Sequence, residues 1–321
     1  MPMIDVHAPA DIFPADADEQ LGSELTHAVL RAEGVAHLAQ TPRCTWPDRP
    51  WQARSMEFRQ SSAGAYAFGD TDIAARRLAV LDQVFGPSSR TLLTDLATAP
   101  VTLAYDLGSG PGHTTAMVAQ LSRAARTIGL DNSPQHIKRA RAGATGPIEF
   151  AVHDVTALPF PAGPADLIYC RMLLAHLPDP ASVVSSWVSQ LTANGVVLVD
   201  EIEWIRTSHP VLRAHLRLAE ALVASGGARM LAGPLLARLA DAPGLRATYL
   251  RIAEVPVPTA QAATLFSMNI AAWGDRPVEL SLCDATDLRD LASAMTELAT
   301  SPATGEITWG MHQAAYARPG L

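Results

Sequence analysis

The chain has 321 residues, of which 48% are hydrophobic and 17% are charged, and its formal net charge is −8. This length suffices to bury a large apolar core in one large domain or two smaller ones, and the charges, spread without a basic cluster, argue against a nucleic-acid-binding surface. No apolar stretch approaches the length of a membrane span, and the three cysteines form no CxxC pair that would hold zinc.

The sequence pattern of residues 1–98 predicts a helical cap or extension that precedes the main domain. Residues 19–40 and 70–85 repeat apolar side chains at helical spacing, and the proline- and tryptophan-rich residues 41–54 are typical of an ordered loop. We expect this part to cover a ligand crevice, and an extension that only packs against the core is the alternative. The first residues lack the basic and apolar regions of a signal peptide, so a cytoplasmic protein is expected.

A glycine-rich turn follows an apolar run at residues 101–105, which predicts a buried strand. Its pattern is Asp-x-Gly-x-Gly-x-Gly, and its residues include Asp106, Gly108, Ser109, Gly110 and Gly112. Glycines let a ligand approach the backbone beside the free N–H groups of a helix N-terminus. The dinucleotide fingerprint needs a third glycine at position 113, which is His113, so an NAD-dependent enzyme is the least favoured alternative.

Four further strands are predicted, at residues 125–130, 148–153, 165–170 and 195–200, the last after the turn signal Asn194-Gly195. Ser133 is placed to cap the helix after the first of them, with Pro134 as the first helical residue. Ligands of open α/β sheets bind at the carboxyl ends of the strands. The polar residues at or just after these strand ends include Asp131, Asn132, Asp154, Arg171 and Glu201, and the apolar Val155 follows Asp154.

The order of these motifs resembles the class I S-adenosylmethionine-dependent methyltransferases, in their small-molecule branch. The resemblance implies a Rossmann-like α/β fold with seven mostly parallel strands in the order 3-2-1-4-5-7-6, the last strand antiparallel. Predicted strands at residues 246–255 and 306–317 complete that sheet. Residues 99–321 would then form the methyltransferase core, with a helical lid insert at about residues 204–244.

The resemblance also implies that S-adenosylmethionine is bound and that S-adenosylhomocysteine is the product. Asp131 would hold the ribose diol and Asp154 the adenine amino group. Tyr66 and Arg77 match a segment in which a Tyr covers the sulfonium and an Arg approaches the methionine carboxylate. Arg171 is assigned to the methionine part or to an acidic substrate, and a solvated surface arginine is the alternative. The predicted cofactor residues are Tyr66, Arg77, Asp106, Gly108, Ser109, Gly110, Asp131, Asn132, Asp154, Val155 and Arg171.

Methyl transfer from a sulfonium mainly needs the nucleophile held in line with the methyl group in a dry pocket. An acceptor hydroxyl needs a base as well, and the candidates are His176 and Glu201. The alternative for His176 is a structural loop, and the alternative for Glu201 is a helix cap or a surface position. Glu203, at the end of the fifth strand, also lies on a route into the crevice, and His312, in the last strand, is equally well explained as a buried histidine.

Apolar residues in the later elements favour an apolar or aromatic acceptor, although such a stripe is also typical of a core. The predicted substrate-pocket residues are Trp204, Phe266, Met268, Trp273 and Trp309. The sequence thus predicts methyl transfer to O, N or C of a small molecule of specialised metabolism, with neither a nucleic acid nor a membrane as partner and with a homodimer as a candidate assembly.

Two alternatives stay open. The first is a non-catalytic protein that binds the cofactor or a partner, for which the N-terminal part could serve as a dimerisation surface. The second is a nucleic-acid methyltransferase, which is disfavoured because the Asn/Asp-Pro-Pro-aromatic motif expected after the fourth strand is replaced by Tyr169-Cys170-Arg171-Met172. The negative net charge also opposes binding to phosphates.

Overall fold

The computed structural model describes residues 69–319, apart from positions 98, 178, 240–243 and 303–304. The predictions for residues 19–40, for residues 41–54 and for Tyr66 lie outside the described residues. Within the described part of the chain, no helix is both long and apolar enough to cross a membrane.

The described residues alternate strands and helices in the manner of an α/β domain. The strands are β1 (Leu103–Leu107), β2 (Arg126–Asp131), β3 (Ile148–Val152), β4 (Ala165–Arg171), β5 (Leu191–Arg206), β6 (Arg246–Pro258) and β7 (Glu306–Ala317). The helices are α1 (Asp72–Leu96), α2 (His113–Ser122), α3 (Pro134–Gly143), α4 (Pro180–Val188), α5 (Pro210–Ser225), α6 (Gly233–Leu239), α7 (Thr259–Trp273), α8 (Arg276–Glu279) and α9 (Ala285–Thr300). A short 3-10 turn, Leu174–His176, follows β4.

The seven strands form one sheet in the order β3-β2-β1-β4-β5-β7-β6, which confirms the predicted fold class. Strands β1 to β5 pair in parallel, and β7 runs antiparallel to both β5 and β6. Ser133 caps α3 as predicted, since its side chain accepts a hydrogen bond from the His136 N–H and Pro134 opens the helix.

Strand β5 departs from its predicted bounds at both ends. The strand begins at Leu191, before its predicted start, and runs through Asn194 and Gly195. Its pairing with β4 is irregular at this point, because Leu191 pairs with Ala165 and the next pair is Val196 with Leu167. A Cβ on Gly195 would lie 2.7 Å from the carbonyl oxygen of Ala165 on β4, so glycine is needed here for close strand approach rather than for a turn. At its other end β5 continues to Arg206.

Helix α1 packs on the sheet as a core element. It continues past its predicted end at residue 85 to Leu96, and its Leu92 and Leu93 are fully buried against Tyr169 of β4 and Leu198 of β5. The opposite face of the sheet packs on α4 and α6. Burial on both faces explains why the central strands read as continuous apolar runs.

The strand registers define the carboxyl edge of the sheet. Arg171, the last residue of β4, pairs with Asp200 of β5, which pairs with Gln313 of β7. Because β5 continues to Arg206, the β5–β7 pair extends beyond the end of β4 on this edge. Helices α5 and α6 follow β5 directly, and α7 begins immediately after β6.

Candidate functional site

The glycine turn between β1 and α2 is held by backbone conformation and by packing. Gly108, Gly110 and Gly112 have φ angles of +67°, +53° and +97°, a region that favours glycine. A Cβ on Gly108 would lie 2.8 Å from Leu173, and one on Gly112 would lie 2.7 Å from the ring of Phe150. Glycine is therefore required at these positions both by the backbone conformation and by close packing against Leu173 and Phe150.

Asp131 joins the end of β2 to this turn. Its Oδ2 accepts a hydrogen bond from the Gly110 N–H at 2.9 Å, and its Oδ1 accepts one from the Ser133 N–H at 2.8 Å. The carboxylate is partly exposed, and Asn132 beside it is exposed. A carboxylate has further lone pairs, so Asp131 can accept from a diol while it keeps its backbone donors. The structure thus brings together the two motifs predicted to hold the cofactor.

Asp106 lies buried beneath the same turn. Its Oδ2 accepts hydrogen bonds from the hydroxyls of Thr114 and Thr115, both at 2.6 Å. Its Oδ1 is buried and has no hydrogen-bond partner among the described residues. Burial raises the pKa of Asp106 to about 6, against the opposing effects of the two threonine hydroxyls and the charge of Arg171. A buried acceptor without a partner at this place fits the ammonium group of a methionine moiety.

The residues predicted for adenine lie after β3, next to β2. Asp154 is exposed, and its Oδ1 accepts hydrogen bonds from the N–H and the hydroxyl of Thr156, which lower its pKa. Val155 is buried, with its carbonyl oxygen bound by the Trp187 indole. The sequence reasoning missed Val152, a large apolar side chain left 51% exposed at the end of β3. The sequence feature that could have drawn attention to Val152 is its position at the end of β3, where it pairs with Asp131.

The surface alternative for Arg171 is wrong, because its side chain is only 7% exposed and points to α1. Its Nη2 lies 2.9 Å from Asp82 Oδ1, and its Nη1 donates to the Ser89 hydroxyl at 3.3 Å. Ser89 in turn donates to Asp200 Oδ2 at 2.6 Å, and Gln313 Nε2 donates to Asp200 Oδ1 at 3.3 Å. This polar network, which the sequence reasoning missed, fastens α1 to β4, β5 and β7. The contact of Arg171 with the cofactor stays a prediction.

Glu201 fixes the turn that follows β4. Its Oε1 accepts hydrogen bonds from the N–H groups of Leu173 and Leu174 at 2.7 and 2.8 Å. Burial raises the pKa of Glu201 to about 8, although both backbone donors act to lower it. Since Leu173 also packs against Gly108, Glu201 holds this turn against the glycine turn. Its predicted role as a base is not tested by these contacts.

His176, the second predicted base, ends the 3-10 turn. Burial and the positive charge of Arg77 lower its pKa to about 4, so its imidazole is neutral at neutral pH. A neutral imidazole is able to accept a proton, and a pKa this low makes it a weak base. The role of His176 therefore also stays a prediction.

Arg77 is buried on α1 and faces helices α5 and α7. Its Nε donates to Asn269 Oδ1, and Asn269 Nδ2 lies 3.3 Å from His215 Nε2. The His215 ring stacks on Phe266 and Trp273, with centroid distances of 3.9 and 5.0 Å. Burial and the charge of Arg77 lower the pKa of His215 to about 3. The predicted approach of Arg77 to the methionine carboxylate is not tested by these contacts.

The predicted substrate residues divide into two groups. Trp309 is buried and packs edge-on against Phe85 and Phe266, so it joins the aromatic cluster around His215. Trp204 is partly exposed on β5, with the Arg206 guanidinium 3.9 Å from its ring centroid. Met268 is also partly exposed. The structure thus brings together Phe266, Trp273 and Trp309 in one cluster between α1, α7 and β7.

Comparisons with known proteins match the motif-bearing part of the chain. Residues 105–199 match a family described as "Methyltransferase domain". A trans-aconitate 2-methyltransferase of Methylobacterium radiotolerans is 36% identical over 113 residues, which are 35% of this chain and 43% of that protein. One of Escherichia coli O7:K1 is 34% identical over 129 residues, 39% of this chain and 50% of that protein. The matched region thus spans half or less of these relatives' length.

A solved structure shares the fold at low sequence identity. It is a complex of a methyltransferase with the Trm112 methyltransferase activator from Haloferax volcanii, and the match has a TM-score of 0.50 and 17% identity. The match covers 77% of this chain and 94% of the other. At this identity the likeness concerns the fold alone.

Proposed function

We propose that this chain, a member of the class I S-adenosylmethionine-dependent methyltransferases, transfers the methyl group of S-adenosylmethionine to a small organic acceptor. The observation that carries the proposal is the arrangement around the glycine turn. Asp131 lies on one side of the turn, bound to Gly110, and beneath it lies Asp106, whose Oδ1 has no hydrogen-bond partner among the residues that the structure describes. These groups complement the ribose diol and the methionine ammonium of the cofactor.

S-adenosylmethionine supplies a methyl group activated by a positively charged sulfur, so the protein's task is mainly to position and desolvate the reactants. Asp131 and the glycine turn position one side of the site. Glu201 holds Leu173 against Gly108, which fixes the turn after β4 where the methyl-bearing end is expected. The Arg171–Asp82 pair holds α1 against the same edge. Rigid placement of these elements favours an in-line approach of the acceptor.

For the acceptor we propose an apolar or aromatic small molecule, methylated on O, N or C. The aromatic cluster of Phe266, Trp273 and Trp309 and the partly exposed Trp204 and Met268 support this choice. Helices α5 and α6 lie within the predicted lid insert at residues 204–244, and we propose that they close over this acceptor. We also propose that the protein acts in specialised metabolism, that it is cytoplasmic and that its acceptor is not a nucleic acid.

A small carboxylic acid is the second candidate acceptor. Two relatives are named for the methylation of trans-aconitate, and Arg77 provides a buried positive charge beside the neutral rings of His176 and His215. A guanidinium in this setting suits a carboxylate.

Calorimetric titration with S-adenosylhomocysteine and then with NAD tests the cofactor part of the proposal. We expect micromolar binding of the first and none of the second. Transfer of label from methyl-labelled S-adenosylmethionine to phenols, amines and trans-aconitate then tests catalysis. Binding without transfer to any of them would favour the non-catalytic alternative, and no binding of S-adenosylhomocysteine would contradict the proposal.

A further inference from the structure

The buried His312 of β7 pairs with the partly exposed Glu203 of β5, and the proposed mechanism does not use this pair. His312 Nδ1 lies 2.8 Å from Glu203 Oε2, and His312 is only 5% exposed. Because a carboxylate accepts hydrogen bonds and does not donate them, Nδ1 is the donor in this contact, and in the neutral ring with this tautomer the lone pair lies on Nε2. Nε2 is buried and has no hydrogen-bond partner within the part of the chain that the structure describes.

The pair lies at the edge of the sheet where the acceptor is expected. His312 pairs across the strands with Glu201, one residue beyond the row in which Arg171 pairs with Asp200. Two strand spacings separate β7 from β4, which is about 10 Å at the usual spacing. A single-ring acceptor bridges much of that distance. His312 thus lies on the same edge of the sheet as an acceptor held over the end of β4.

The glutamate that orients the ring is itself held in place. Gly233, the first residue of α6, packs so closely that a Cβ there would lie 2.6 Å from both Cα and Oε2 of Glu203. No side chain larger than hydrogen fits between α6 and this carboxylate. Helix α6 therefore packs against Glu203 and restricts the position of its carboxylate.

We propose that His312, oriented by Glu203, is the general base that accepts the proton of an acceptor hydroxyl or phenol. The inference rests on the proposed methyl transfer and specifies its substrate class. The proton of the acceptor O–H passes to Nε2 while the oxygen bonds to the methyl carbon. The carbon–sulfur bond breaks with its electron pair left on sulfur, and His312 then releases the proton to water.

This assignment discriminates between the two acceptor candidates. A phenol has a pKa near 10 and is protonated at neutral pH, so it gains from a base. A carboxylic acid has a pKa near 4 and is already ionised, so it gains nothing. The pair therefore favours a hydroxyl-bearing aromatic acceptor over a carboxylate without a hydroxyl.

The test uses 4-nitrophenol as the acceptor probe, because its phenolate is yellow and its phenol is colourless. His312→Asn is the central variant, since its amide nitrogen can still donate to Glu203 while the base is lost. Binding of S-adenosylhomocysteine is measured first by calorimetry. The absorption spectrum of the probe bound to that complex is then recorded at a pH below the pKa of the free probe. We expect phenolate in the wild type and phenol in His312→Asn. One pH unit below the pKa of the free probe, we also expect methylation of the probe to slow by about 10-fold in the variant, with unchanged affinity for S-adenosylhomocysteine.

Each outcome decides between the two levels of the proposal. If the wild type does not bind S-adenosylhomocysteine, the proposed function fails and the base assignment with it. If that complex forms but binds no probe or binds it as phenol, the base assignment is wrong while the proposed function stands. The base assignment is also wrong if His312→Asn binds the probe as phenolate or methylates it at the wild-type rate. If this variant does not fold, His312→Gln is measured with the same readouts and the same expectations.

Discussion

Replacement of Asp131 by asparagine tests the link between the two cofactor motifs. The carboxylate now accepts from the N–H groups of Gly110 and Ser133 at 2.9 and 2.8 Å. Asparagine keeps one oxygen and replaces the other with NH2, so one backbone donor faces another donor. A hydrogen bond to a charged group contributes about 1.5–3 kcal/mol, so the affinity for S-adenosylhomocysteine should fall about 10- to 150-fold by calorimetry.

Asp166→Asn is the matched control at the opposite edge of the sheet. Asp166 Oδ2 also accepts two backbone N–H groups, from Thr102 at 2.7 Å and from Leu103 at 3.3 Å. This variant should lose stability in urea and bind S-adenosylhomocysteine as the wild type does. Equal affinities of the Asp131 variant and the wild type would refute the reasoning, and so would an equal loss of affinity in the control.

Three further predictions concern stability, measured as the free energy of unfolding in urea. Gly108→Ala should cost about 1–2 kcal/mol for its left-handed backbone, plus the cost of a contact with Leu173 that Leu173→Ala relieves in the double variant. Arg171→Met should cost about 3 kcal/mol because it leaves Asp82 without its buried partner, and additive effects with Asp82→Ala would contradict direct pairing. Because the folded pKa of His215, about 3, lies below its unfolded value of 6.5, stability should fall as the pH drops below 6.5. His215→Leu should reduce that fall by about 2 kcal/mol between pH 6.5 and 5, and an unchanged pH profile would contradict the lowered pKa.

The fold and the cofactor side of the site were accessible from the sequence because their signals are local. Gly108 and Gly110 follow a strand within a few residues, and Asp131 ends the next strand. Each of these features depends on backbone geometry that neighbouring residues specify. The strand order was implied by the family that these motifs resemble, and the structure confirms it.

The remaining contacts join residues that are distant in sequence, and no local sequence pattern predicts them. Arg171 pairs with Asp82, which lies on α1 and 89 positions earlier in the chain. The burial of Arg171 therefore could not be predicted from its sequence neighbours. Glu203 and His312 lie 109 positions apart. The sequence drew attention to each residue separately, and only the β5–β7 register places them side by side. Gly195 is explained in the same way, since the carbonyl oxygen of Ala165 on β4 leaves no room for a side chain there.

The unequal strand lengths divide the sheet into two halves with different freedom to change. The short strands β1 to β4 end where the glycine turn and Asp131 stand, so substitutions there disturb the cofactor groups directly. The tips of β5 and β7 project beyond that edge and pair with each other. We therefore expect the projecting tips to be the part of the fold where evolution or engineering changes acceptor choice while the donor stays the same.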